Sequence, residues 1–231
     1  MKRALALSAL VLLLDVSNSI AAELPDTDSA VATSSSSPGK EASPAPPLIP
    51  YRRDTVGGHF QLALTGAYAI PFGSVSQGTA QTSRVGSGAS GHVDIGYGLD
   101  RHVMIAGYYE QQFYGASKKN CPPCSGTSIG AGALVRYHIV QGLTVDPWIS
   151  YGVGYRSLRS DSGETSLDYQ GLEWLRIGLG TDWYIQRNFG FGPMMQFGAG
   201  TMFKRPDGEK IGGTNWRFQF GLRLVLDVPG K

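Results

Sequence analysis

Apolar and polar positions alternate along most of this chain, and the sense of that alternation is its most informative feature. In residues 215–228, Trp216, Phe218, Phe220, Leu222, Leu224 and Leu226 fall on one side of an extended strand. Arg217, Gln219, Gly221, Arg223 and Asp227 fall on the other, because successive strand side chains point to opposite faces. A soluble sandwich would bury the apolar side and give the polar one to water. Here the polar side is the crowded, charged one, and upstream segments repeat it with glycines. Apolar residues outward around a polar interior is the pattern of a barrel in lipid.

Eight such segments follow one another from His59, each long enough for the ~9–11 residues of a tilted membrane strand. They cover residues 59–70, 88–99, 102–114, 128–139, 144–156, 169–185, 189–202 and 215–228. The second turns Val93, Ile95, Tyr97 and Leu99 outward, and His92, Asp94, Gly96 and Gly98 inward. The sixth turns Leu175, Ile177, Leu179 and Trp183 outward, and Arg176, Gly178, Gly180 and Asp182 inward. The connections alternate as well. Those after the second, fourth and sixth segments are short, whereas residues 71–87, 115–127, 157–168 and 203–214 make long polar ones. Short periplasmic turns and longer external loops are the rule for outer-membrane barrels. The pattern therefore predicts an all-β fold, an eight-stranded antiparallel up-and-down transmembrane β-barrel whose last strand pairs with its first. A soluble lipocalin-type barrel would reverse the faces and need an apolar lumen, which the inward charges oppose.

The N-terminus reads as an export signal: Lys2 and Arg3, an apolar run over residues 4–14, and the small-residue site Ser19-Ile20-Ala21. That run is far below the ~20 residues needed to span a bilayer as a helix; a buried N-terminal helix is the rival reading. Residues 22–57 then turn to Ser, Pro, Ala and Thr, too polar to offset their ordering entropy. The expected organisation is a signal peptide at 1–21, a disordered periplasmic linker at 22–57, the barrel at 58–228 and a tail at 229–231. A proline-rich tether to a periplasmic partner is the functional alternative for the linker. The implied location is the cell outer membrane. With 20 Lys+Arg against 18 Asp+Glu, no basic field invites nucleic acid. The 32 glycines suit a narrow, tightly curved wall.

Glycine-rich strand segments carry a family resemblance: residues 147–155 (Pro-Trp-Ile-Ser-Tyr-Gly-Val-Gly-Tyr), 175–180 (Leu-Arg-Ile-Gly-Leu-Gly) and 219–226. Through them residues 58–228 resemble the small outer-membrane β-barrel family that includes the OmpA barrel, OmpX and OmpW-type proteins. The resemblance implies that Gln219, Gly221, Leu224 and Leu226 form a C-terminal signal recognised by the outer-membrane assembly machinery. Family members commonly end on an aromatic residue, whereas here the apolar spacing ends on Leu226.

Two constellations carry possible chemistry. Cys121 and Cys124 form the one cysteine pair. A Cys-x-x-Cys can be a redox site, half a zinc site or a local disulfide; in an exported loop a small stabilising disulfide is expected. The second constellation is the inward charge set: Arg136, Arg156, Arg176, Arg217 and Arg223 with Asp94, Glu110, Asp146 and Asp182, near His92, His102 and His138. An eight-stranded barrel is just wide enough for side chains to fill, and buried charges must be paired. An ion-pair core is expected, and a narrow pore favouring anions through its arginine excess is the alternative.

A lipid-modifying enzyme would need a base near the outer rim, for which only His92 qualifies. Gly126-Thr127-Ser128-Ile129-Gly130 matches G-x-S-x-G but leads from a loop into a strand, not onto a nucleophile elbow. The expected role is non-enzymatic and cofactor-free: a monomer in outer-membrane lipid and lipopolysaccharide, structural or surface-interacting through its polar external loops.

Overall fold

The computed structural model describes residues 55–116, 124–140, 143–162, 165–204 and 213–229. The expected signal peptide and nearly all of the linker lie outside them. Among the described residues there are nine strands: β1 His59–Ser76, β2 Thr79–Ala80, β3 Gly88–Gly98, β4 Val103–Tyr114, β5 Ser125–His138, β6 Val145–Asp161, β7 Ser166–Gln186, β8 Phe189–Lys204 and β9 Thr214–Pro229. β1 and β3 to β9 pair in chain order, each antiparallel to its neighbours, and the two-residue β2 hangs on β1. β9 returns to β1 in register from His59↔Pro229 to Gly73↔Asn215. The sheet is thereby an eight-stranded closed barrel, so no lipid-facing edge leaves its backbone groups unpaired.

The outer wall is apolar. Phe60, Ile95, Ile105, Val135, Ile149, Leu179, Leu222 and Leu224 are all exposed. Aromatic pairs lie toward both ends of the wall. Phe60–Tyr97 (4.9 Å) and Trp183–Phe191 (5.7 Å) sit near the short turns, and Phe72–Phe197 (6.1 Å) and Trp174–Trp216 (6.0 Å) near the loop end. This matches the aromatic girdles of barrels that face lipid.

Strand count, order and closure agree with the sequence reading, but the strands outrun it at the loop end. Residues 71–76 continue β1. Most of the expected loop at 157–168 is instead hairpin, with β6 running to Asp161 and β7 starting at Ser166. The physical reason is a change of solvent. Beyond the bilayer the outward positions, such as Arg159, Asp161 and Asp168, meet water and need not be apolar. The hydrogen-bond ladder continues without the alternation that reveals it. Of the other long connections, residues 117–123 and 205–212 lie outside the described set.

Both ends of the lumen are closed. At the loop end Val75, Val85, Tyr114, Leu158, Tyr169 and Met202 form an apolar cluster. The chain from β2 makes a single 3-10 turn at Gln81–Ser83 and crosses the mouth. It is tied there by Ser160 Oγ donating to Arg84 O (2.9 Å) and Gly86 N donating to Gly115 O (2.9 Å). At the turn end Val56 is fully buried. Its carbonyl packs so tightly on Gly98 that a Cβ there would lie 1.8 Å from it. Gly58, at φ +77°, then turns the chain into β1.

Candidate functional site

Between the two closures the lumen is packed with charge arranged in tiers. In the outer tier Glu110, fully buried on β4, accepts from Arg176 Nη1 (2.5 Å), Arg217 Nη2 (3.2 Å) and Arg156 Nη2 (3.4 Å). Glu173 accepts from Arg217 Nη2 (2.9 Å) and Arg156 Nε (3.2 Å), with Arg176 Nη1 at 3.4 Å. Neutral groups fill the remaining positions. Gln219 Nε2 donates to Glu110 and to Ser90 Oγ, and Gln196 Nε2 donates to Gln219 Oε1. Gln112 donates to Glu110, while its own Oε1 accepts from Tyr114 and from Arg156 Nη1. Side chains of four strands, β4, β6, β7 and β9, thus converge on two carboxylates.

The inner tier is smaller. Arg136 Nη2 donates to Asp94 Oδ2 at 2.7 Å, and Arg223 pairs with Asp182. Both arginines also donate to Gln61 Oε1, at 3.0 and 2.8 Å. His92 lies beside Asp94 at 3.5 Å. Nearer the turn end, His138 and Asp146 share a proton contact at 2.8 Å, and His59 with Asp227 makes another at 2.9 Å across the closing seam.

Planar groups and glycines complete the packing. The Trp148 ring lies under Arg136 (4.7 Å) and near Arg223 (5.2 Å), and Tyr108 lies under Arg176 (3.9 Å), the geometry of cation–π contact. These rings fit because the facing inward positions are glycine. A Cβ at Gly154 would lie 2.1 Å from Tyr108 Oη, and one at Gly180 would lie 2.4 Å from Trp148 Cζ2. Inward glycines are therefore sockets for large lumen side chains.

All nine inward charges singled out from the sequence lie buried in the lumen, and the tiers join them except Asp146, which pairs with His138 instead. Two further acids are buried, and only one of them escapes strict alternation. Asp227 lies inside at the seam, and Glu173 lies inside because β7 is irregular between Glu173 and Leu175. That bulge inserts a residue, so Leu172 and Trp174 face out while Glu173 and Arg176 both face in. The available signal was the adjacent pair Trp174-Leu175, which no strict two-residue period can hold on one apolar face. With these two included, six acids (Asp94, Glu110, Asp146, Glu173, Asp182, Asp227) face five arginines. The expected arginine excess over the whole lumen is corrected, and with it the basis for an anion-favouring pore.

The other sequence candidates sort as follows. His92 is buried inside the lumen, not at an accessible rim, and His102 sits on a turn with its Nδ1 2.7 Å from His138 O. Ser128 faces inward from β5, with Arg156 Nη1 at 3.5 Å, and no elbow is present there. Cys124 is disulfide-bonded, while Cys121 lies outside the described residues. Of the C-terminal quartet, Gln219 is in the outer tier. Gly221 packs on β1, where a Cβ would lie 2.1 Å from Gly66 O, and Leu224 and Leu226 face outward.

Among solved structures, the chain is similar in fold to Neisserial surface protein A, at 15% identity and a TM-score of 0.52, over 72% of this chain and 98% of that one. The N-terminal β-barrel domain of Pseudomonas aeruginosa OprF matches 74% of this chain and 98% of its own, at 14% identity and a TM-score of 0.46. Ail, the attachment invasion locus protein of Yersinia pestis, matches 74% of this chain and 99% of its own, at 13% identity and a TM-score of 0.46. No family model matches the chain, and no curated protein matches its sequence. The chain has the fold of the small outer-membrane β-barrels.

Proposed function

We propose that this protein is a non-enzymatic, non-conducting barrel of the cell outer membrane, acting as a structural or surface-interaction protein through its external end. The observation that carries this reading is the filled lumen. Side chains from four strands meet at Glu110 and Glu173 inside the barrel, beneath an apolar cap. Such a cross-section leaves a solute no continuous path, because an eight-stranded interior is filled by its own side chains. The apolar wall and the export-type leader support residence in outer-membrane lipid, with lipopolysaccharide at the external rim. Assembly by the outer-membrane machinery is part of the same reading, with Leu224 and Leu226 as the outward residues open to recognition. His92, the base that a lipid-modifying reading would need, is enclosed in the lumen.

Bilayer conductance tests the reading. Refolded protein in a planar bilayer is expected to give no steady current. Discrete openings whose size changes on Arg176→Gln or Arg217→Gln would replace it with a narrow channel.

A further inference from the structure

The outer tier does not balance. Arg156, Arg176 and Arg217 share only Glu110 and Glu173, and all five side chains are at most 5% exposed. Among the described residues, the charges facing this tier from other elements do not supply the missing one. The inner tier sets two arginines against two aspartates, and His92 is held beside Asp94. Above the tier lie the apolar side chains of Tyr169, Leu158, Met202 and Val85 with the neutral Ser76, Gln81 and Ser160, and Arg84 at the mouth adds a cation and no acid. One positive charge is therefore enclosed between an apolar cap and a neutral layer, where an uncompensated ion is strongly unfavourable.

A second observation points to the same place. Arg176 Nε and Nη2, Arg217 Nε and Asn215 Nδ2 are buried donors with no hydrogen-bond partner. Arg217 and Asn215 are two residues apart on β9 and share its inward face. Arg176 and Arg217 are joined through Glu173 Oε1, at 3.4 and 2.9 Å. The inner tier also has unpartnered donors, Arg136 Nε and Arg223 Nε, but there Asp94 Oδ1 and Asp182 Oδ1 are unpartnered as well, whereas the outer tier has the spare donors and no spare carboxylate oxygen.

We propose that the outer tier binds one small monovalent anion, of chloride size, as a resident ligand of the closed barrel; the proposal rests on the filled-lumen reading. One negative charge neutralises the tier, and the N–H donors of Arg176, Arg217 and Asn215 replace the anion's hydration shell. A larger or doubly charged anion overfills a lumen already occupied by side chains. Because the lumen is capped, the ion is taken up during folding.

The test is to refold the protein in sodium chloride or in sodium gluconate at equal ionic strength and to compare thermal unfolding. A ligand that binds only the native state raises its midpoint. Chloride is expected to give a saturable rise that gluconate does not. Arg217→Gln, which balances the tier, is expected to abolish the rise, and Arg136→Gln in the inner tier to leave it. Wild-type crystals grown in bromide supply the independent reading should the variants not refold. An anomalous peak among Arg176, Arg217 and Asn215 supports the site. Superimposable curves in the two salts, a chloride response retained by Arg217→Gln, or no bromide peak in the tier would each overturn it. None of these outcomes bears on conductance, so the filled-lumen reading stands or falls separately.

Discussion

At the scale of single residues, the lumen reduces to two packing rules, each with a measurable consequence. The first is that buried charges hold one another. Glu110→Gln removes the carboxylate shared by Arg156, Arg176 and Arg217; breaking a buried pair from one side costs about 3–5 kcal/mol. A loss of that size is expected in urea unfolding of the refolded barrel. The second is that inward glycines are sockets. Gly154→Val collides with Tyr108, for a cost of about 1–3 kcal/mol from overpacking. Gly107→Val on the lipid face meets only Gly132 O at 3.9 Å, and its unfolding midpoint is expected to stay close to wild type. The inward charges were legible in the sequence because charge on the face opposite an apolar stripe has one place to go. Their pairing was not. Gln61, which joins Arg136 to Arg223, sits at an ordinary polar position and announces nothing until three strands are brought together.

At the scale of elements, the β7 bulge decides the character of the lumen. It brings Glu173 inside three residues from Arg176, a spacing a regular strand cannot give. Deleting Leu175 removes the inserted residue and leaves Glu173 and Arg176 two apart, both still on the inward face. The deleted chain is expected still to fold, read as a retained difference in gel mobility between boiled and unboiled samples; loss of that difference would show that the bulge itself is required. The tight β3–β4 turn has its own lock. The backbone N–H groups of His102 (2.7 Å) and Val103 (2.8 Å) donate to Asp100 Oδ1 and hold that exposed carboxyl below its ordinary range. A depressed folded value means the contribution is complete above about pH 4, the ordinary carboxylate value, and is lost as pH falls through the lower folded one. Asp100→Ala is expected to lower stability at pH 7 and to flatten the acid limb of the stability curve, with Asp100→Asn retaining the acceptor and most of the turn. Turn positions were legible from the short links between alternating segments. The bulge was marked only by one pair of adjacent apolar residues.

At the scale of the whole molecule, the wall and the cap are separable. The wall is set by the ladder of eight strands and its lipid face, whereas the cap hangs on Val75 and Val85, brought over the mouth by the β1–β3 connection. Val85→Asp puts an unpaired carboxylate into that cluster. It is expected to expose residues 77–87 to protease while the unboiled protein keeps its fast mobility; cleavage equal to wild type would refute the cap. The sequence by itself determined the barrel, its strand count, its closure and which face meets lipid. All of these follow from a two-residue period read against a solvent that reverses the usual polarity, and such a period is a local property of the chain. Only the tertiary structure decided how far strands run beyond the bilayer, where β7 slips phase, which acid meets which arginine and that the outer tier holds one more arginine than acid. Those depend on contacts between residues far apart in the chain, where alternation carries no information.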